Sequence, residues 1–389
     1  MPRQAVLAMT LLWLSGACLR LTILAVPPVI PMIRDELHLL GTEIGILNGI
    51  PLALFALAAV PGSLLIGRLG TRRTLIVGLL ATAVGSALRA ISPNLAALYG
   101  ATVVMGFGVA VMQPLLAALV REWVPTRIGF GTAVYTNGLL VGEIFPVFLT
   151  LPLVLPWVGG DWRLALGFWS LPVLAVAALA MGTARAAVPR NAVPPPARRP
   201  WWPDWGDSLV WQLGLLLGTI NAMYFGANAF LPPFLASTGR GGLVGPALTA
   251  LNVGQLPASF LLLGFASRLE RRMWPYLAAA GLALASLAGI VWGGEFWIPV
   301  STGVLGFSAA AGLILALTLP PLLSDPEHVA RTSAAMFTAS YSGAMVTAVV
   351  SGAAWDLTGV PAMAFLPLGL CALVLVGAAL AMRASRRLV

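Results

Sequence analysis

The feature that most constrains this chain is a succession of long apolar runs, each ended by a short polar or arginine-bearing turn. They cover approximately 5–28, 43–66, 74–91, 95–119, 129–154, 163–183, 208–231, 244–266, 275–293, 297–319, 333–354 and 361–382. A bilayer core takes about 20 apolar residues per helix, so each run reads as one span. Prolines interrupt many of them, which membrane helices tolerate because neighbouring groups satisfy the freed backbone. Only 9% of the residues are charged, against roughly 25% in a soluble domain. Most of the surface must therefore face lipid, and the predicted class is an all-α membrane protein of twelve transmembrane helices.

The formal charge of +9 does not point to nucleic acid, because the arginines sit in loops between spans. Clusters at Arg68, Arg72 and Arg73, at Arg185, Arg190, Arg198 and Arg199, at Arg268, Arg271 and Arg272, and at Arg383, Arg386 and Arg387 all fall on one side. The opposite loops hold only Arg34, Arg163 and Arg240. The positive-inside rule then predicts a cytoplasmic (inner) membrane protein with both termini in the cytoplasm. Ser15-Gly16-Ala17-Cys18 imitates a lipoprotein cleavage site, but Ser15 stands where a large aliphatic residue is usual and eleven more apolar runs follow. Residues 1–28 are read as an uncleaved first helix. Residues 184–207 are long, basic and proline-rich, which predicts a cytoplasmic linker with Trp201, Trp202 and Trp205 at the interface. The expected domains are 1–183, the linker 184–207, and 208–389.

The two parts echo each other. Pro27-Pro28 recurs as Pro232-Pro233, Leu47-Asn48 as Leu251-Asn252, the Arg68–Arg73 loop as Arg268–Arg272, and Gly78-Leu79 as Gly281-Leu282. Such repeats predict two pseudo-symmetric six-helix bundles.

Gly67-Arg68-Leu69-Gly70-Thr71-Arg72-Arg73 resembles the basic loop between helices 2 and 3 of major facilitator transporters, written G-x-x-x-D-R-x-G-R-R, with Gly67 in place of the acidic residue. Other pieces resemble the cyanate permease and 2-nitroimidazole transporter family. These are Arg20 with Pro27-Pro28 and Pro31, Gly85 to Arg89, Gln113-Pro114, Gly131-Thr132 to Tyr135, and Trp355-Asp356-Leu357-Thr358-Gly359. The resemblance implies the major facilitator fold and transport of a cyanate-like or nitro-aromatic solute.

Ionisable groups inside membrane helices are costly and usually functional. Three fall within the runs: Arg20, Arg89 and Glu143. At about 1.5 Å per residue they stand at similar depth, with one positive charge in excess. A guanidinium binds planar oxyanions through paired donors, which makes both arginines candidates for an anionic substrate and Glu143 the charge partner. The alternatives are a structural Arg–Glu bridge and snorkelling of Arg89. Neutral polar residues complete the candidate set. Trp13 shares a face with Arg20, joined by Asn48 and Gln113; Asn221, Tyr224 and Asn228 share a face of the seventh helix. Asn252 and Gln255 come from the eighth, Tyr341 from the eleventh, and Tyr135 from the fifth. Stripes like these line a cavity or glue helices together.

Gly129, Gly138 and Gly142 have the spacing that opens the antiporter motif of drug exporters, but Glu143 and Pro146-Val147 replace what should follow. Close helix packing by small residues is the simpler reading. Cys18 and Cys371 are expected to pack as unpaired residues. His38 and His328 fall on opposite faces, so no metal site is expected, and the lysine-free chain lacks a P-loop. The sequence therefore predicts a monomeric, lipid-embedded secondary transporter with no cofactor and no enzymatic activity. Its expected cargo is a small planar anion, moved by alternating access. The alternative is a proton-coupled exporter of lipophilic compounds, with Glu143 as proton carrier.

Overall fold

The computed structural model describes residues 3–57, 59–187, 204–269, 271–325 and 328–388. Among the described residues every regular element is helical. The first part of the chain gives α1 (Arg3–Leu21), α2 (Ile30–Leu37), α3 (Gly41–Leu57), α4 (Ala59–Arg89), α5 (Leu95–Trp123), α6 (Ile128–Leu149), α7 (Leu155–Trp157), α8 (Trp162–Phe168) and α9 (Ser170–Ala187). The second part gives α10 (Ser208–Ser237), α11 (Val244–Val253), α12 (Gln255–Leu269), α13 (Trp274–Trp292), α14 (Trp297–Leu323), α15 (Val329–Thr358) and α16 (Leu366–Ala384).

Each apolar run is largely helical among the described residues, and local chemistry sets the ends. The Asn94 side chain accepts from Ala97 N at 2.9 Å to cap α5, and Asp207 caps α10 by accepting from Leu209 N at 2.8 Å. Such caps satisfy amides that have no partner inside the helix. At the other end of α15, Gly359 takes φ 68°, the left-handed geometry that stops a helix.

One run and two of the connecting stretches depart from expectation. The first leaves helical geometry after Leu21 and re-enters it as a short turn at Pro27–Val29, where adjacent prolines supply no amide donors. Beyond it lies α2, where the sequence suggests only a loop around Arg34. The basic stretch 67–73 is also helical, kinked at Gly70 with φ 76° and ψ 165°. Thr71 Oγ1 donates to Glu122 Oε2 at 2.7 Å and Arg72 Nη2 to the Met181 carbonyl at 2.8 Å. These bonds anchor the kink without the missing acidic residue at Gly67. Most of the expected linker, 188–203 with Trp201 and Trp202, lies outside the described residues.

Contacts divide the chain into two compact units, Met1–Val29 with Leu57–Arg199, and Ile30–Ala56 with Pro200–Val389. In the first, α4 lies along α5 and α9, and α1 lies along α6. In the second, α10 is buried along nearly its whole length, from Leu209 to Leu235, against α14, α15 and α16. Helix α3 belongs to this second unit although it follows α1 in sequence. A Cβ on Gly41 would stand 2.8 Å from the Gly352 carbonyl, and one on Gly45 would collide with that of Ala348. Asp356 completes the crossing by accepting from Gly41 N at 2.6 Å and Thr42 N at 2.8 Å. A carboxylate from α15 thus caps the N-terminus of α3, where the helix dipole favours negative charge. Beside Asp356 in sequence, the Trp355 ring lies under the Arg34 guanidinium at 4.2 Å. Burial pushes Arg34 below its ordinary pKa, while Asp35 and Asp356 oppose that shift.

Candidate functional site

In the first unit the candidate residues gather at the crossing of α1 and α6. Gly138 and Gly142 rest against the carbonyls of Trp13 and Ala17, and Gly16 rests against that of Tyr135. Side chains at these glycines would force the helices apart. The close approach sets a parallel register in which two side-chain pairs meet. Trp13 Nε1 donates to Asn137 Oδ1 at 2.8 Å, and Arg20 Nε stands 3.3 Å from Glu143 Oε1. The ion pair is shielded, with side-chain exposures of 12% and 7%. The glycine spacing on α6 therefore serves helix packing at Gly138 and Gly142, whereas nothing lies near a Cβ built on Gly129.

Arg89 closes α4 and is 1% exposed. Its Nη1 donates to the Thr22 carbonyl at 2.8 Å and its Nε to Thr102 Oγ1 at 3.3 Å. It forms no ion pair among the described residues. Tyr135 and Gln113 are half-buried in the same unit.

The second unit gathers the neutral polar candidates. Tyr224 OH donates to Asn252 Oδ1 at 2.6 Å, Gln255 Nε2 to Tyr224 OH at 3.2 Å, and Asn252 Nδ2 to Asn228 Oδ1 at 3.1 Å. Asn228 Nδ2 turns back to the Tyr224 carbonyl at 3.0 Å. The network is buried, with Asn228 at 2% and Asn252 at 1% exposure. Each amide finds a partner, as buried polar groups must. Asn221 leaves this group and donates to Ser340 Oγ on α15 at 2.8 Å. Tyr341, also buried, sits between Phe55 and Phe337, with ring centroids 5.1 and 6.1 Å away. Asn48 lies in this unit too, and its amide donates to the Ile44 carbonyl of its own helix at 3.0 Å.

A groove of about 540 Å³ between α10, α15 and α16 is lined by Trp211, Gly214, Gly218, Ser342 and Val346 among others. None of the candidate residues borders it. Cys18 and Cys371 are free thiols, and no group of metal-ligating side chains occurs among the described residues.

Sequence reasoning singled out the ionisable and large polar members of these clusters as candidates, because they stand out in apolar runs. It did not single out their hydrogen-bond partners Asn137, Thr22, Thr102 and Ser340. For Asn137 a signal existed: it precedes the packed Gly138 by one residue, which puts it at the edge of the α1 contact.

Apolar helices among the described residues, with a shielded ion pair in one unit and a polar network in the other, are the architecture of a polytopic membrane protein. The sequence profile of the Major Facilitator Superfamily matches residues 12–245, and the chain belongs to that superfamily. It is 28% identical over 364 residues to the uncharacterized transporter YycB of Bacillus subtilis, covering 93% of this chain and 89% of that protein. It is 26% identical over 313 residues to the cyanate transport protein CynX of Escherichia coli, with coverages of 79% and 77%. For the 2-nitroimidazole transporter of Escherichia coli the identity is 27% over 339 residues, with coverages of 82% and 80%. Among solved structures, a bacterial homologue of the human lysosomal transporter Spinster superposes with a TM-score of 0.73 at 17% identity. It covers 100% of this chain and 98% of that one, a likeness of fold.

Proposed function

We propose that this chain is a secondary active transporter of a small, planar, anionic solute, of the cyanate-like or nitro-aromatic kind. It works by alternating access between two six-helix bundles, residues 1–183 and 208–389, joined by the linker 184–207. Both termini lie in the cytoplasm, and the protein is a monomer in the inner membrane.

The observation that carries this reading is the charge balance inside the first unit. Glu143 neutralises Arg20 at 3.3 Å, and the Arg89 cation has no acidic partner among the described residues. One positive charge is left over, which favours an anion. Arg20 is the more accessible of the two guanidiniums and contributes paired donors to the solute. Trp13, Tyr135 and Gln113 shape the site in the first unit, and Asn48, Asn221, Tyr224, Asn228, Asn252, Gln255 and Tyr341 are the neutral polar and aromatic candidates of the second. Relatives named for cyanate and 2-nitroimidazole transport support this choice of solute class.

The test is a binding titration of purified protein with sodium cyanate and with 2-nitroimidazole. Arg20→Lys is expected to weaken binding about ten- to a hundredfold, the worth of a lost charge-assisted hydrogen bond. Full affinity in Arg20→Ala would remove the site proposed here. The rival reading, an exporter with Glu143 as proton carrier, predicts that Glu143→Gln still exchanges lipophilic compounds but loses proton-driven accumulation.

A further inference from the structure

We propose that Arg89 is a positioning residue: it braces the break in the first span and thereby aims Arg20, and it does not itself touch the solute. This rests on Arg20 as the solute's ligand.

The break begins immediately after Arg20. Helix α1 ends at Leu21, and the amides of Ile23 and Leu24 both fold back onto the Arg20 carbonyl, at 3.1 and 2.9 Å. Val26 N goes to the Ile23 carbonyl, so the carbonyl of Thr22 is passed over by the backbone. A carbonyl left unpaired in a membrane interior is costly. Arg89 Nη1 reaches it at 2.8 Å from the end of α4. Its Nε is held by Thr102 Oγ1 on α5 at 3.3 Å, and that hydroxyl sends its own proton to the Leu98 carbonyl at 2.8 Å. The guanidinium is thus tied to two neutral acceptors from two helices and is 1% exposed.

A cation kept in such surroundings is expensive unless its donors are needed. Here they fix the peptide that follows Thr22, inside the turn closed on the Arg20 carbonyl. That turn sets the direction in which the Arg20 side chain leaves the backbone. Small displacements of a binding group cost affinity steeply, so Arg89 acts through Arg20.

The experiment is a double-mutant cycle on full-length protein, with cyanate and 2-nitroimidazole as probes. Arg89→Gln should weaken probe binding about tenfold in the wild-type background. In an Arg20→Lys background it should weaken binding less than about twofold, because residues that act through one another are not additive. Arg89→Lys keeps a donor for the Thr22 carbonyl and should remain within about threefold of wild type; a direct bidentate ligand would not tolerate that exchange. Losses that multiply in the double variant overturn the proposal. Amide hydrogen exchange across residues 20–26, recorded without probe, should quicken in Arg89→Gln and, to a smaller degree, in Thr102→Val. Unchanged exchange in both overturns the brace. Absence of probe binding by the wild type would instead reject the anion site and leave the exchange result standing.

Discussion

A guanidinium inside a membrane helix survives where its charge and donors are satisfied, and the two arginines of the first unit meet that demand in different ways. Arg20 uses the carboxylate of Glu143 at 3.3 Å, whereas Arg89 uses a carbonyl and a hydroxyl. Both positions were legible in the sequence because ionisable residues are conspicuous in apolar runs. Their partners were not equally legible. Glu143 was, by charge, but Thr22 and Thr102 look like ordinary membrane threonines, which commonly bond their own helix. The pair also makes a prediction. If Glu143 only neutralises Arg20, Glu143→Gln adds one net positive charge to the site. Anion affinity should then hold or rise, with no pH dependence between pH 5 and pH 8, in a titration at several pH values. A fall in affinity would show that Glu143 contacts the solute or carries a proton.

At the scale of elements, glycine contacts decide which helices can meet. Gly138 and Gly142 let α6 rest on the backbone of α1, and the ion pair depends on that approach. Gly142→Val should destabilise the protein by about 1–3 kcal/mol, the usual cost of overpacking. It should weaken anion binding as well, seen as a lower unfolding temperature and a raised Kd. Unaltered stability would mean that the crossing is looser than its geometry. A second crossing joins α3 to α15 through Gly41, Gly45 and Gly352, with Asp356 capping α3. Asp356→Ala should cost about 1–2 kcal/mol, as the loss of a helix cap does. Asp356→Asn, which keeps one acceptor, should cost less. Equal losses in the two variants would contradict the capping role. The Trp-Asp-Leu-Thr-Gly motif was visible in the sequence, but its partner was not. Gly41 lies more than three hundred positions earlier, and no local pattern links a carboxylate to so distant a helix end. The same limit explains α2 and the break at residues 22–26. Hydropathy finds a span and its length, whereas bends within it depend on which neighbour supplies the missing hydrogen bonds.

For the whole molecule, the apolar runs were enough to reach an all-α membrane protein, since lipid leaves a spanning chain few alternatives. The resemblance of the 67–73 loop and the other motif pieces supplied the major facilitator fold. The arginine bias further predicts that cysteines placed at Pro195 and Arg386, in a cysteine-free background, label only from the cytoplasmic side. Labelling of either from outside intact cells would reverse the orientation. Transport itself is the central claim, and counterflow in proteoliposomes tests it most directly. Vesicles preloaded with unlabelled cyanate and diluted into labelled cyanate should accumulate label transiently with wild-type protein. They should do so without an imposed proton gradient, and Arg20→Ala should reduce the overshoot to the level of empty vesicles. An overshoot undiminished in Arg20→Ala would contradict the account, as would its absence from the wild type with both cyanate and 2-nitroimidazole.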